Sequence, residues 1–344
     1  MIPAAVLLLV SAGTAWLLTG AVRSFALRHG ILDQPTSRGL HVVPTPRGGG
    51  LAIAAVALPA IAVLGLVGLL PGRVVAALVG GGVAVAWIGW RDDRTGVTPG
   101  ARAGVHLVAA LWALYWLGGL PELELGLYRV SLGHLGIPLG AIGVVWLINL
   151  YNFMDGIDGL AGAEAVTVGL GGGLILMQGG ATGLGLAALS IAAASMGFLA
   201  WNWAPARIFM GDVGSGLLGF LFAGLALASE NSGSAPALVW ILLLGVFGFD
   251  TTATLLRRMW RREAWYAPHR SHAYQRLVRL GWPHARVTSA VVGVNLVLVA
   301  LALAAQADPR LFLPALLIGL GMLAGLYLAA ERAVPLASGS DPAR

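Results

Sequence analysis

Hydrophobic positions in this chain run in long blocks instead of alternating with polar ones at strand or amphipathic-helix spacing. Apolar stretches occupy about 3–22, 48–70, 73–90, 102–120, 137–152, 159–178, 181–201, 213–229, 236–256, 287–305 and 311–330. About 20 helical residues cross a hydrocarbon core of about 30 Å. The pattern therefore predicts an all-α polytopic membrane protein of about eleven transmembrane helices, with 1–344 as one integral domain and 332–344 as a disordered tail. Two short segments break the pattern. In ELELGLYRVSL at 122–132, Leu123, Leu125 and Leu127 alternate with polar or small residues, which suits a surface β-hairpin. The segment SHAYQRLVRL within 257–286 suits a short amphipathic helix.

Composition agrees with this picture and removes several chemistries. Of 344 residues 58% are hydrophobic and 10% charged, where globular domains carry roughly 25% charged residues. Cysteine is absent, so disulfides and thiolate chemistry are excluded. All 21 basic residues are arginine, so a lysine Schiff base and a phosphate loop ending in lysine are excluded as well.

The arginines are sided. Eighteen of the 21 fall in alternate connections and the C-terminal tail, leaving Arg73, Arg129 and Arg310 in the others. By the positive-inside rule the N-terminus lies outside and the C-terminus in the cytoplasm, which puts the hairpin on the periplasmic face. The first block is followed, not preceded, by Arg23 and Arg28, as in a retained first helix. The net charge of +6 is thus a topology signal, and no nucleic-acid partner is expected. Nine of the 15 carboxylates lie on the arginine-rich side, although the insertion rule does not require it.

Five polar clusters occupy that side. DQPTSRGLHVVPTPRGGG at 33–50 carries Asp33, Arg38, His41 and Arg47 before three glycines that permit close backbone approach, or it is simply a basic turn. Asp92 and Asp93 in WRDDRTG are adjacent carboxylates that repel unless a cation or proton intervenes; pairing with Arg91 and Arg94 is the alternative. In NLYNFMDGIDGLAG at 149–162, Asn149, Asn152 and Asp155 recur every three residues. A continuing helix would place them on one face, with Asp158 on the following turn. Such a set at the mouth of an apolar helix is costly unless it binds something. Asp212 in FMGDVGSG opens a helix, as an N-cap or beside a phosphate held by free backbone amides. In PHRSHAYQRL, His269 and His272 are a weak zinc signal without a third ligand, and with Arg270 they better suit a phosphate.

These clusters, in this order and between these helices, resemble the polyprenyl-phosphate N-acetylhexosamine-1-phosphate transferase family (glycosyltransferase family 4 type), with NFMDGIDGLAG and FMGDVGS as the most specific matches. PHRSHAYQRL looks like the O-antigen-initiating branch. The resemblance implies transfer of an N-acetylated sugar 1-phosphate from a UDP-sugar to undecaprenyl phosphate, releasing UMP, in the bacterial inner membrane with the active site facing the cytoplasm. It implies Mg²⁺, replaceable by Mn²⁺, on Asp212 and Asn152, with Asp92, Asp93 and Asp155 catalytic. Asn149, Asp158, His269, Arg270, His272 and Arg47 would bind substrate, Asp158 near the uracil and His269 and Arg270 on the pyrophosphate. It leaves room for a homodimer. Some branches carry a lysine in the first inward loop; here Arg38, His41 or Arg47 must supply that charge.

Charge considerations agree. Both substrates are anions, and bringing them together requires cations aimed at the oxygens where charge develops. A phosphate monoester has a second pKa near 6, so the acceptor is already largely dianionic at neutral pH and can attack without a strong base. The rival reading is a polytopic transporter, which would place polar groups near span centres and show an internal repeat.

Overall fold

The structure, a computed structural model, describes residues 4–34, 43–263 and 270–333. Every apolar block folds as helix. The chain enters through α1 (Ala4–Arg28) and a two-residue antiparallel pair, β1 (Leu32–Asp33) with β2 (Thr45–Pro46), in the register Leu32↔Pro46 and Asp33↔Thr45. Then come α2 (Gly50–Leu66), α3 (Gly72–Val75), a π-helical turn at Ala76–Gly80 and α4 (Gly81–Thr95), the last three forming one continuous rod. The Trp112 indole N–H donates to the Ala76 carbonyl at 2.8 Å, within the turn where the regular helical ladder is interrupted.

Next is α5 (Pro99–Leu117), started by Thr98, whose hydroxyl accepts the Ala101 N–H. The hairpin forms as expected: β3 (Glu122–Leu125) pairs antiparallel with β4 (Tyr128–Ser131). It joins the far ends of α5 and α6 (Gly136–Met154), so it lies at the end of the bundle opposite Asp92 and Asp155. The rest is α7 (Leu160–Gln178), α8 (Thr182–Asn202), α9 (Asp212–Ser232), α10 (Val239–Leu243), α11 (Gly245–Trp260), α12 (Ala273–Arg279), α13 (His284–Ala307) and α14 (Phe312–Ala333). The amphipathic segment inferred from SHAYQRLVRL is α12.

Eight helical segments among the described residues are long and apolar enough to cross a membrane. The count departs from eleven at three places. The block at 48–70 yields only the 17 residues of α2, and Pro59 sits inside it. The block at 102–120 is α5, a helix too polar at its start to qualify. The block at 236–256 breaks at Leu244 into α10 and α11. The inferred tail, beyond Ala333, lies outside the described residues.

The bundle is built around α9. Its most apolar window is 94% buried, against 78% for α7 and α8 and 28% or less for α1, α13 and α14, which present leucine, tryptophan and phenylalanine outward. Facing lipid, such a surface needs no further covering, and the packing that defines the fold comes from small residues that let backbones approach. Gly50 of α2 lies directly against the backbone of Gly214 in α9, and Gly89 of α4 against the backbone of Asp212. A side chain at either would push apart the helices that carry the acidic clusters.

Candidate active site

Four carboxylates from three separate elements meet at one end of α9. Asp92 and Asp93 end α4, Asp155 follows α6 and Asp212 opens α9. Two arginines hold three of them. Arg47 places Nε 2.8 Å from Asp93 Oδ1 and Nη2 2.7 Å from Asp212 Oδ1. Arg102 places Nη1 2.6 Å from Asp92 Oδ2 and 3.3 Å from Asp212 Oδ2. Burial opposes the charge of Arg47, but the carboxylates of Asp93 and Asp212 more than offset it and its pKa is raised.

Local structure explains why these residues stand here. The TPRGGG segment is not a free loop. The Phe209 N–H donates to the Pro46 carbonyl at 2.8 Å, and the Gly49 and Gly50 N–H groups donate to Phe209 and Met210 at 2.9 and 2.8 Å. Arg47 is thereby clipped beside the α9 N-terminus. The close backbone approach foreseen for the glycines is thus made by Gly49 and Gly50 to the chain itself.

Asp93 has both oxygens occupied at that N-terminus: Oδ1 accepts the Asp212 N–H at 2.9 Å and Oδ2 the Val213 N–H at 3.1 Å. With its side chain 2% exposed, it builds and caps the helix that presents Asp212. Gly211, at φ +76°, is required for the turn, since a Cβ there would lie 2.5 Å from Asp93 Oδ2. Asp92 is spent on the next turn, accepting the Val97 N–H at 2.8 Å as well as Arg102.

Asp155 is different. Helix α6 stops at Met154, and Asp155 turns out of the helical conformation at ψ 57° into the DGID turn, so the single face drawn through 149, 152 and 155 is broken. No hydrogen bond reaches its carboxylate among the described residues. Its pKa is pushed up to about 7, chiefly by burial, with Asp212 and Asp93 adding repulsion and Arg47 opposing. Asn152 donates to Ser215 Oγ at 3.0 Å, tying α6 to α9.

A cleft of about 240 Å³ runs from this cluster past Gly156 to a second polar end formed by Asp158, Asn202, Gln275 and His284, with Phe209 and Asp33 on its walls. Asp158 Oδ2 accepts the Ala206 N–H at 3.1 Å and lies 3.3 Å from His284 Nδ1. The Tyr274 hydroxyl donates to the Phe153 carbonyl at 3.1 Å, pinning α12 over the DGID turn. Gln275, from the same helix, faces the cleft and accepts the His272 N–H at 3.3 Å.

Three expected substrate ligands do not line this cleft. Asn149 turns back on its own helix, donating to the Val145 carbonyl at 2.7 Å, because in an apolar bundle the carbonyl one turn back offers its amide a second acceptor position. His272 is buried, 4% exposed, with Nδ1 3.5 Å from Asp250 Oδ1. Asp250 accepts the Ala273 N–H at 2.9 Å and so caps α12, which makes this pair part of the scaffold that carries Gln275. Arg270 precedes α12 and is not among the residues that line the cleft. His269, like Arg38 and His41, lies outside the described residues. Gln275 belongs to the PHRSHAYQRL cluster and does line the cleft; Arg102, Phe209, Asn202 and His284 carry no spacing signal that sequence reading could use, since each reaches the site from a different helix end or loop.

Oxygen donors dominate the acidic end, which is the chemistry of a hard divalent cation. Among the described residues no three carboxylate or imidazole groups form a closed cage. The arrangement suits Mg²⁺ instead, which uses one or two carboxylates and leaves its other positions to phosphates and water. Asp155, without a hydrogen-bond partner among the described residues and repelled by Asp212, is the carboxylate such an ion would relieve.

Comparison with known proteins accords with this geometry. Residues 75–230, which include all four clustered aspartates, match the family "Glycosyl transferase family 4". A Bacillus subtilis protein named "Probable undecaprenyl-phosphate N-acetylglucosaminyl 1-phosphate transferase" is 31% identical over 292 residues, covering 83% of this chain and 80% of its own. A decaprenyl-phosphate N-acetylglucosaminephosphotransferase of Mycolicibacterium smegmatis is 30% identical over 321 residues, covering 81% and 76%. A phospho-N-acetylmuramoyl-pentapeptide-transferase of Synechococcus elongatus is 31% identical over 300 residues, covering 78% and 77%.

Proposed function

The chain belongs to the polyprenyl-phosphate N-acetylhexosamine-1-phosphate transferase family, and on that premise we propose that it transfers an N-acetylated sugar 1-phosphate from a UDP-sugar to undecaprenyl phosphate, releasing UMP. The observation that carries this reading is the convergence of Asp92, Asp93, Asp155 and Asp212 with Arg47 and Arg102 at one end of a membrane bundle, beside a cleft with a second polar end. A polar nucleotide and an anionic lipid headgroup both require such a place. The sidedness of the arginines supports a cytoplasmic-facing site in the bacterial inner membrane. The matched relatives named above are transferases, and the transporter reading is not favoured.

In this reading the UDP moiety lies along the cleft, its base toward Asp158 and Phe209 and its pyrophosphate toward Asp155 and Asp212. Those two carboxylates, with Asn152 nearby, would hold Mg²⁺, which supplies positive charge to the pyrophosphate oxygens. Arg47 and Arg102 balance the clustered carboxylates, and Arg47, which lines the cleft, would meet the developing charge of phosphoryl transfer. Asp93 positions Asp212 through the helix N-terminus and does not itself meet the substrate. The acceptor phosphate, dianionic near neutral pH, attacks the β-phosphorus in line with UMP departure. The first pathway step of a surface polysaccharide such as O-antigen is the expected setting.

The test is to incubate purified protein with Mg²⁺, undecaprenyl phosphate and a panel of UDP-sugars, and to follow UMP release together with lipid-linked product. One N-acetylated sugar nucleotide should give both. Release of UMP without lipid product, or sugar uptake into vesicles without either, would overturn the proposal. Inversion at the transferred phosphorus is expected; retention would indicate a covalent enzyme intermediate instead.

A further inference from the structure

A buried acid lies deeper in the bundle, away from the carboxylate cluster. Glu164 of α7 is 0% exposed and takes part in no ion pair among the described residues. Among the described residues its carboxylate has one hydrogen-bond partner, Asn295 of α13: Asn295 Nδ2 donates to Glu164 Oε2 at 2.6 Å and to Thr167 Oγ1 at 3.0 Å. Both amide hydrogens are thereby used. Two acceptors are left without a donor, Glu164 Oε1 and Asn295 Oδ1, both fully buried. An ionised carboxylate here would be an uncompensated buried charge, which costs several kcal/mol, and it would leave the amide carbonyl unsatisfied too. A single proton on Glu164 removes the charge and supplies one donor where the pair has two buried acceptors and none to serve them.

The consequence reaches the cleft through α13, which is otherwise largely lipid-facing. Its first residue, His284, faces Asp158, and the Thr288 hydroxyl donates to the Asp158 carbonyl at 3.0 Å. Asn295 lies three helical turns further along the same helix, about 16 Å from His284. Thr288 and Asn295 are the buried polar residues of α13, and Asn295 is the one that grips α7 inside the bundle. We infer that Glu164 is a neutral carboxylic acid whose pairing with Asn295 clamps α13 to α7, making it a positioning residue for the Asp158–His284 end of the nucleotide cleft. This role rests on the proposed function; the acid–amide pairing does not.

Two measurements test it. Infrared spectra of the purified protein should contain a protonated-carboxyl C=O band that persists from about pH 6 to about pH 8 and disappears in Glu164→Gln. In steady-state kinetics Glu164→Gln, whose carboxamide makes the same two bonds, should keep the UDP-sugar KM within about twofold. Glu164→Leu should raise that KM roughly three- to tenfold, as for couplings through a packed network, with saturated kcat within about twofold. Loss of activity in Glu164→Gln equal to that in Glu164→Leu, or an unchanged KM in Glu164→Leu, would overturn the positioning role. Absence of the band would overturn the neutral acid. Were the wild type to turn over no UDP-sugar, the functional reading would fall and take the positioning role with it, while the band would still decide the protonation.

Discussion

Replacing Asp155 by Asn should change how stability responds to pH, in a direction that follows from its surroundings. Its pKa stands at about 7 in the folded protein against an ordinary 3.8, and burial is the main cause. A folded-state pKa above the unfolded one contributes stability that is present at low pH and lost as pH rises through the folded value. At pH 6 about nine-tenths of the folded molecules hold that proton, and at pH 8 about one-tenth, whereas the unfolded carboxyl is ionised at both. The wild type should therefore lose about 1.4 kcal/mol across this window relative to Asp155→Asn. That is an upper figure, since solvent reaches the half-buried carboxyl through the cleft. In thermal unfolding of a chain this long it corresponds to a Tm difference of roughly 2 °C between the two proteins' pH responses. The assay is detergent-solubilised protein in EDTA, with both variants scanned at pH 6, 7 and 8. Mg²⁺ should flatten the wild-type slope by compensating the ionised carboxylate and leave Asp155→Asn nearly unchanged. Parallel slopes in the two proteins would refute the assignment of a strained, partnerless acid to this position.

Other outcomes follow from the same contacts. Arg47→Ala should lower kcat at least about 100-fold, the scale for losing one aimed donor. Arg47→Lys should restore only part of it, because a single ammonium cannot reproduce the 2.8 and 2.7 Å bonds to Asp93 and Asp212. Gly211→Ala should destabilise by about 1–3 kcal/mol, from left-handed backbone strain and collision with Asp93. Gly100→Ala, with nothing within 4 Å of its new methyl, serves as the folded control, and chemical or thermal unfolding reads both. Asp212→Asn and Asp93→Asn should each abolish UMP release while the protein stays folded. Chelation should abolish release in the wild type, and added Mg²⁺ or Mn²⁺ should restore it. Near-normal rates after any of these changes would remove that group from its role.

Block lengths and arginine placement were enough to read a polytopic helical bundle, because insertion into a bilayer depends on local hydrophobicity and flanking charge. The hairpin was likewise readable from alternation alone at Leu123 and Leu125. Asp212 and Asp155 were visible as acids at the mouths of apolar helices, where an idle carboxylate is costly. Tertiary structure decided which acids are free. Asp92 and Asp93 look equivalent in sequence, yet one caps the turn into α5 and the other caps α9, while the Asp155 carboxylate has no hydrogen-bond partner among the described residues. It also decided that His272 and Asn149 do not line the cleft, that Gln275 and His284 do, and that Arg102 braces the acidic cluster beside it, since these meetings depend on how non-adjacent helix ends pack. Periodicity along one helix carries no record of which other helix end lies opposite, so the hydrogen-bond partners of a polar residue emerge only when the bundle closes.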